Sequence, residues 1–578
     1  VPNLDTDRVR GLIGEHLLTD RSSHGDAVFV VQREGIHQVL QRLRDDETLR
    51  FDMLMDLAAV DRLGLPPEFE RFEVVYNLYS LWNGWRLRVQ VPVPEGDPVV
   101  DSVHDLWKSA NWAEREVWDL FGIRFQGHPN LKRILCHHEF IGHALRKDYD
   151  KRRGQWCSRT ETLEDELELK HEEERRALRE AGEAEPSEAA INERMLVNIG
   201  PSHPVSHGTL RVLVELEGET IKHAIPEIGY LHRGFEKSAE KGTWNQVIPY
   251  ADRLNYCSAL SNNVAYVKAV EKLGGIEVTD RCKVIRVIIN ELSRIIDHVV
   301  CNAANLVDVG ALTNFWYLFT VREKIYGVLE KLTGARLTNS YARVGGLAHD
   351  LYDGFVDDVR TVLKESVPYV NDVLTLVRDN RIFLDRTVNV GRVTAEDAIS
   401  YSWTGPNLRA CGVPLDARKR DGYYFYNEFD FEVPIGENGD AFDRIMVRFE
   451  EIFQSVRIIE QALDKLPGGP VNTTQNQFVL PPKQEVYSDI EPLMNHFMLV
   501  MFGTPIPRGE TYDSFEVPNG ELGFHLVSDG SGRPYRVRVR PPSLYSYQAY
   551  PQMLEGVMVA DMAAMLGGLN IIAGELDR

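Results

Sequence analysis

A charged divide about a third of the way along the chain limits what this sequence can fold into. Residues 160–192 hold twelve acidic and four basic side chains, a net of −8, with few large apolar residues. Such a stretch cannot build a core of its own. Glu166/Lys170 and Glu172/Arg176 stand at i,i+4, which predicts a solvated helix from Leu163 to Glu180, broken by Gly182 and Pro186. We read the stretch as a spacer, and it supplies −8 of the formal charge of −22. The 578 residues are too many for one core. The expected organisation is therefore a first unit over 1–152, a charged linker over 153–192 and a larger unit over 193–578.

The first unit reads as a small mixed α/β domain. Asp26 to Val31 is a β-rich run, and Ile36, Val39, Leu40 and Leu43 have helical spacing. Phe72, Val74, Tyr76 and Leu78 alternate with Arg71, Glu73 and Asn77, and Trp85, Leu87, Val89 and Val91 alternate with Arg86, Arg88 and Gln90. Asn83-Gly84 between these runs predicts a hairpin with a type I′ turn, which needs positive φ at both central residues. A helix is expected from Ser102 to Leu120, ending at a turn on Gly122.

The larger unit opens with strand patterns at Met195–Ile199 and Leu210–Leu216. Pro249–Leu273 reads as one helix with proline at its start and Gly274-Gly275 at its end. Arg281–Val307 reads as a second, with Ile285, Ile288, Leu292, Ile295, Ile296 and Val299 on one face. Helices of that length imply a central bundle. The last 150 or so residues mix short strands and helices, and no internal repeat is visible. The fold class is α+β.

Composition excludes several functions. Cys136, Cys157, Cys257, Cys282, Cys301 and Cys411 form no C-x-x-C pair, which argues for a reducing compartment and against a metal cluster held by this chain alone. A charge of −22 makes nucleic acid an unfitting partner. The charged N-terminus has no secretion-signal pattern, and no segment of about 20 apolar residues exists to span a membrane.

Several residues stand out chemically. Cys136, His137, His138 and His143 fall within eight positions, yet adjacent histidines in a regular element point apart, so the expectation is no metal. His203 and His207 are spaced i,i+4, but Pro204 and the flanking Gly200 and Gly208 favour a loop, leaving a ligand, catalytic or structural role open. Tyr256 continues the line of Leu260, Val264 and Val267, the default for a core tyrosine. Asp308 sits just before Gly310 and is readable as a turn residue. Glu291, Arg294 and His298 form a polar stripe, read as a self-compensating buried network.

Two sets of motifs add a resemblance. Ala113–Leu135, with its Trp118-Asp-Leu-Phe-Gly122 core, and Gly142–Tyr149 closely resemble the signature of the C subunit of respiratory complex I, the NADH:quinone oxidoreductase. Gly200-Pro-Ser-His-Pro-Val-Ser-His-Gly-Thr-Leu-Arg211, Leu231–Lys237, Asp252-Arg-Leu-Asn-Tyr256 and Asp308–Thr313 resemble the D subunit of the same complex, in order and spacing. The likeness runs from about Met195 to the terminal Gly-Glu-Leu-Asp-Arg578, so the chain resembles a bacterial fusion of the two.

That resemblance implies a multi-subunit enzyme on the cytoplasmic side of the bacterial inner membrane. Its partners would be the iron–sulfur B and I subunits, other peripheral-arm subunits and the membrane subunits H and A. It implies a larger domain folded like a nickel–iron hydrogenase large subunit without the metal. Quinone is the substrate, no cofactor is bound by this chain alone, and a 4Fe–4S cluster lies in the adjacent partner. His207 and Tyr256 would face the quinone carbonyls, Asp308 would pair with His207, and Arg233 and Arg253 would lie near the partner's cluster. Thr338 departs from the family, many of whose members carry a histidine there, so a pH-dependent cluster potential is not carried over. A working hydrogenase is excluded, since Arg253-Leu-Asn-Tyr-Cys-Ser258 lacks a cysteine pair and no cysteine follows Cys411. A pure scaffold remains the rival of a different class.

Overall fold

The computed structural model describes residues 4–66, 70–152, 154–206 and 208–578. The first unit is built on five strands, β1 (Leu17–Asp20), β2 (Ala27–Val31), β3 (Met53–Asp61), β4 (Phe72–Ser80) and β5 (Trp85–Val93), ordered β1-β2-β5-β4-β3. β2 runs parallel to β5, and the other neighbours are antiparallel. Helix α1 (Thr6–Ile13) and helix α2 (Ile36–Asp45) pack beside this sheet, and the four apolar residues of helical spacing in α2 are all buried.

The expected hairpin forms, with Ser80 opposite Trp85, but its turn differs. Residues 81–84 make a four-residue connection, and of these only Gly84 has positive φ, at 74°. Tertiary contacts override the local Asn-Gly preference. Leu81 is buried in the core, and the Asn83 amide donates to the Thr48 carbonyl at 2.8 Å. The helix expected from Ser102 forms only as α3 (Ala110–Phe121). The buried Glu114 carboxylate takes the Val103 N–H at 2.7 Å and the Ser102 hydroxyl at 2.5 Å, which holds the preceding residues in turns. β3 carries no alternation to betray it, because it is buried on both faces.

The acidic stretch folds as α4 (Glu164–Ala181), close to the expected span, yet it is no free spacer. Leu163, Leu167, His171 and Glu174 recur along one side. That side lies on the three-stranded sheet Met195–Ile199, Arg211–Glu217 and Thr220–Glu227. Leu163 and Leu167 pack on Leu213 and Ile225. Arg194 then bridges Glu174 at 2.8 Å and Glu215 at 3.0 Å. Glu166 faces Arg115 at 3.7 Å, and Lys170 pairs with Glu173 and Glu555 rather than with Glu166. Two leucines one turn apart are too sparse to register as an apolar face, so the charge around them hides the docked side.

The bundle centres on the helix Asp280–Asp308, within a residue of its expected span. It packs against Ala259–Gly274, Leu312–Thr333, Ala441–Asp464 and Met562–Leu569. Glu291, Arg294 and His298 are buried and compensated, as the stripe predicts. Glu291 accepts from Arg418 at 3.0 Å, Tyr426 at 2.6 Å and Ser455 at 2.7 Å, while His298 Nε2 lies 2.7 Å from Glu451, which also accepts from Arg409 at 2.7 Å. The helix expected over Pro249–Leu273 is instead broken. Ile248–Asp252 and Ala259–Gly274 are separate helices, with a single tight turn at Tyr256–Ser258 between them.

The first unit is fused to the rest by a shared core. Its apolar side chains form one continuous cluster with Trp403, Leu544, Tyr547 and Leu566. The strand Arg536–Arg540 lies along β3, where Arg538 pairs with Asp56 at 2.7 Å and also with Glu116. Arg536 and Arg540 donate to the Ala59 and Met55 carbonyls at 3.2 and 3.0 Å. Among the described residues no helix is long and apolar enough to cross a membrane.

Candidate functional site

The break before Tyr256 is made by Asn255. Its side-chain oxygen accepts the Cys257 N–H at 3.1 Å, its amide donates to Asp297 at 2.6 Å, and its carbonyl takes the Asn262 amide at 2.8 Å. These bonds satisfy the buried residue away from a helical path. The next side chain, Tyr256, is turned outward and is 44% exposed. The core-tyrosine reading is therefore wrong, because it assumed an unbroken helix. The protein around the ring, then Cys257 and Asp297, raise the phenol above its ordinary pKa, so it is a proton-bearing donor at neutral pH.

The C-terminal residues thread through this region. Asp297 also accepts from Asn570 at 2.8 Å, and Asn570 turns the chain with a φ of 55°. A Cβ on Gly574 would meet the Arg253 and Leu254 carbonyl oxygens at 2.9 Å, and one on Gly208 would meet Ala573 at 3.2 Å. Asp577 takes the N–H groups of Gly229 and Leu231 at 3.0 and 2.8 Å, and the Arg233 N–H reaches the Arg578 carbonyl at 3.3 Å. Gly208, the segment before Arg233 and the stretch around Arg253 are thus gathered on one short tail. No local sequence pattern discloses that these residues act as a brace.

Arg233 and Arg253 share a support. Arg253 donates to the Pro249 carbonyl at 2.7 Å and Arg233 to the Tyr250 carbonyl at 3.2 Å. Both side chains are exposed. The surrounding protein, then the Arg253 guanidinium, lower the proton affinity of Arg233. Two like charges so close raise the local potential. Asp252, fully buried, takes the Ser340 N–H at 2.7 Å and hydroxyl at 2.6 Å. Burial pushes its pKa up to about 6, against the pull of those bonds and of Arg253 and Arg343. Half-buried Thr338 lies two residues away on this loop.

Asp308 is the last, exposed residue of the long helix. It stands about 16 Å along the axis from Asp297, at 1.5 Å per residue. One turn earlier, Asn305 donates to the Ala564 carbonyl of the Met562–Leu569 helix at 3.3 Å. That helix also carries the turn Pro204–Ser206, whose Ser206 hydroxyl ties it to the His203 and Gly208 carbonyls at 2.7 and 2.9 Å. The loop reading of His203 holds for the described residues. His207 lies outside them.

The histidine cluster of the first unit departs from expectation in one respect. His137 and His138 stack with ring centres 4.3 Å apart, because they sit in a turn, where neighbours need not diverge. Their donor atoms approach that of Glu139, and a second such group, His171, Glu215 and His223, joins α4 to its sheet. In the second group the Arg194 cation already sits between Glu174 and Glu215.

Family models match both parts: "Respiratory-chain NADH dehydrogenase, 30 Kd subunit" over residues 29–155 and "Respiratory-chain NADH dehydrogenase, 49 Kd subunit" over 308–578. The NADH-quinone oxidoreductase C/D subunit of Bdellovibrio bacteriovorus is 49% identical over 554 residues, 96% of this chain and 95% of that protein. This chain belongs to the family of C/D subunits of NADH-quinone oxidoreductase. The C/D subunit of Acidiphilium cryptum is 41% identical over 95% of this chain and 93% of its own length. A D subunit of the Sorangium cellulosum enzyme is 51% identical and covers 67% of this chain and 96% of its own length. The chain is thus a fused C/D subunit of complex I, joining a β-rich 30 kDa part to a helical 49 kDa part. Membership in this enzyme implies further complex I subunits as partners.

Proposed function

We propose that the C/D subunit forms, with the iron–sulfur B subunit, the site where quinone is reduced to quinol, in an enzyme whose other subunits couple that step to proton translocation. The observation that carries this is the outward-facing Tyr256 beside the Arg233/Arg253 pair, all braced by the terminal residues. Two-electron reduction puts negative charge on two carbonyl oxygens, which need aimed donors and two protons. Tyr256 supplies one hydroxyl. His207, with Asp308 fixing its tautomer and raising its proton affinity, supplies the other donor by family resemblance.

Because Tyr256 and Asp308 are exposed on this chain, the remaining walls of the pocket belong to partners. Those would be the B subunit and the membrane subunits H and A, with the I subunit completing the electron path. The exposed arginines would face the 4Fe–4S cluster held by the partner, where positive charge favours its reduced form. This chain would supply no cofactor of its own and would sit on the cytoplasmic face of the inner membrane.

Replacing Tyr256 with Phe tests the reading in assembled enzyme. The ring and the fold remain, and quinone reduction should fall by roughly 10²-fold, the scale of one lost oxyanion donor. NADH oxidation by an artificial acceptor upstream should be unchanged. Wild-type quinone turnover in this variant would leave the scaffold reading standing.

A further inference from the structure

One surface of this chain is too apolar to face water. The helix Ile490–Phe502 buries none of its side chains. Ile490, Leu493, Met494, Phe497, Met498 and Met501 are each about half exposed or more, and Phe502 closes the row at 58%. These residues cover more than one side of the helix, and so wide an apolar face packs against other apolar surface rather than water. Its tethers to the rest of the chain are slight, one being the Asn495 amide on the Asn476 carbonyl at 2.6 Å. A contiguous patch of this size marks an interaction surface.

The charge pattern says what kind. Residues 484–507 contain no Lys or Arg, while Glu485, Asp489 and Glu491 cluster at the helix start. Thirteen residues give about 20 Å, short of a bilayer core of about 30 Å. A helix lying on a membrane needs a polar, basic face toward anionic headgroups, and this one offers acid and no such face. We propose that Ile490–Phe502 is a docking helix, enclosed by an apolar cleft with basic residues at one rim in another subunit of the same oxidoreductase. Met494, Met498 and Met501, flexible and polarizable, suit a surface that must pack against a different protein. The acidic start of the helix sets its direction in the cleft.

A photo-crosslinking side chain at Phe497 of the full chain, in purified complex, tests this. The expected product is a crosslink to one other subunit, mapped to an apolar segment flanked by Lys or Arg. A crosslink to a second copy of this chain, or to lipid, would overturn the proposal. So would equal hydrogen-exchange rates for residues 490–502 in the complex and in the isolated chain. As a second arm, Met498→Asp should lower recovery of that subunit with the tagged chain by tenfold or more, since a buried charge at an interface centre is a large loss. Met498→Leu should retain it. The melting point of isolated Met498→Asp chain should stay at the wild-type value, because this helix buries no side chain within its own subunit. Undiminished recovery with Met498→Asp would overturn the proposal.

Discussion

The ion network around Glu291 and the rim around Tyr256 both lean on the helix Asp280–Asp308, yet they treat polar groups in opposite ways. In the interior Glu291, Arg294, Asp416, Arg418, Glu451, Arg409 and Glu516 are buried together, each arginine paired with at least one carboxylate. At the rim Arg233 and Arg253 donate to the Tyr250 and Pro249 backbone carbonyls, and the Tyr256 ring faces outward. Self-compensation is what a fold requires of buried charge. Cations and donors aimed outward are what a site completed by another chain requires. The comparison predicts that damage to the first region appears in stability and damage to the second in turnover.

The largest effect should come from the interior. Glu291→Gln removes the carboxylate shared by Arg294 and Arg418: Arg418 keeps Asp416, but buried Arg294 is left with the Glu516 and Val517 backbone carbonyls alone. Breaking a buried pair in this way costs about 3–5 kcal/mol, so denaturant or thermal melting should shift far more than for Tyr256→Phe. Equal melting curves for the two variants would erase the distinction between the regions.

Asp252 lies between the two, buried like the network but placed at the rim. Its folded pKa of about 6 stands above the ordinary 3.8. A carboxyl raised in this way is content when neutral, so its ionisation opposes folding. Stability should be intact below about pH 4 and decline as pH rises through 6. The full loss is about 3 kcal/mol for two pKa units. Asp252→Asn keeps an acceptor for Ser340 and escapes that penalty. The variant should melt higher than wild type at pH 8, by an amount worth roughly 1–3 kcal/mol, and no higher at pH 4. A constant difference across that range would mean that Asp252 does not titrate there.

How far the sequence disclosed these regions depended on whether local pattern or distant contact decided the outcome. The long helix, the polar stripe on it and the alternating strands β4 and β5 were legible from the period of their residue types, although burial does not follow it: β4 is buried on both faces, with Glu73 held by Arg21 and Arg62. The break at Asn255 was not, since it is fixed by Asp297 from another helix and by Asn262, neither of which any spacing rule connects to it. For the same reason Tyr256 looked like core from its own helix line. Recognisable motifs pointed to Arg233, Arg253 and Tyr256 as a group, while the terminal brace at Gly574 and Asp577 was invisible, being a contact across more than 300 positions.

The smallest effect concerns the acidic stretch, where the sequence suggested two separable units. An exposed turn remains at residues 182–185, after α4 has ended, and limited proteolysis should cut there first. The N-terminal half of α4 should resist, since Leu163 and Leu167 are packed and Arg194, His171 and His223 hold Glu174 and Glu215. Cleavage should give fragments of about 180 and 390 residues rather than free domains, by the position of the turn. They should co-elute in gel filtration without denaturant, because strand Arg536–Arg540 stays laid along β3 and the apolar core runs through both pieces. A nick in an exposed turn removes no buried contact, so the melting point of the cut protein should move little. If the two fragments part at neutral pH, the shared core is not what joins the units, and the covalent linker is.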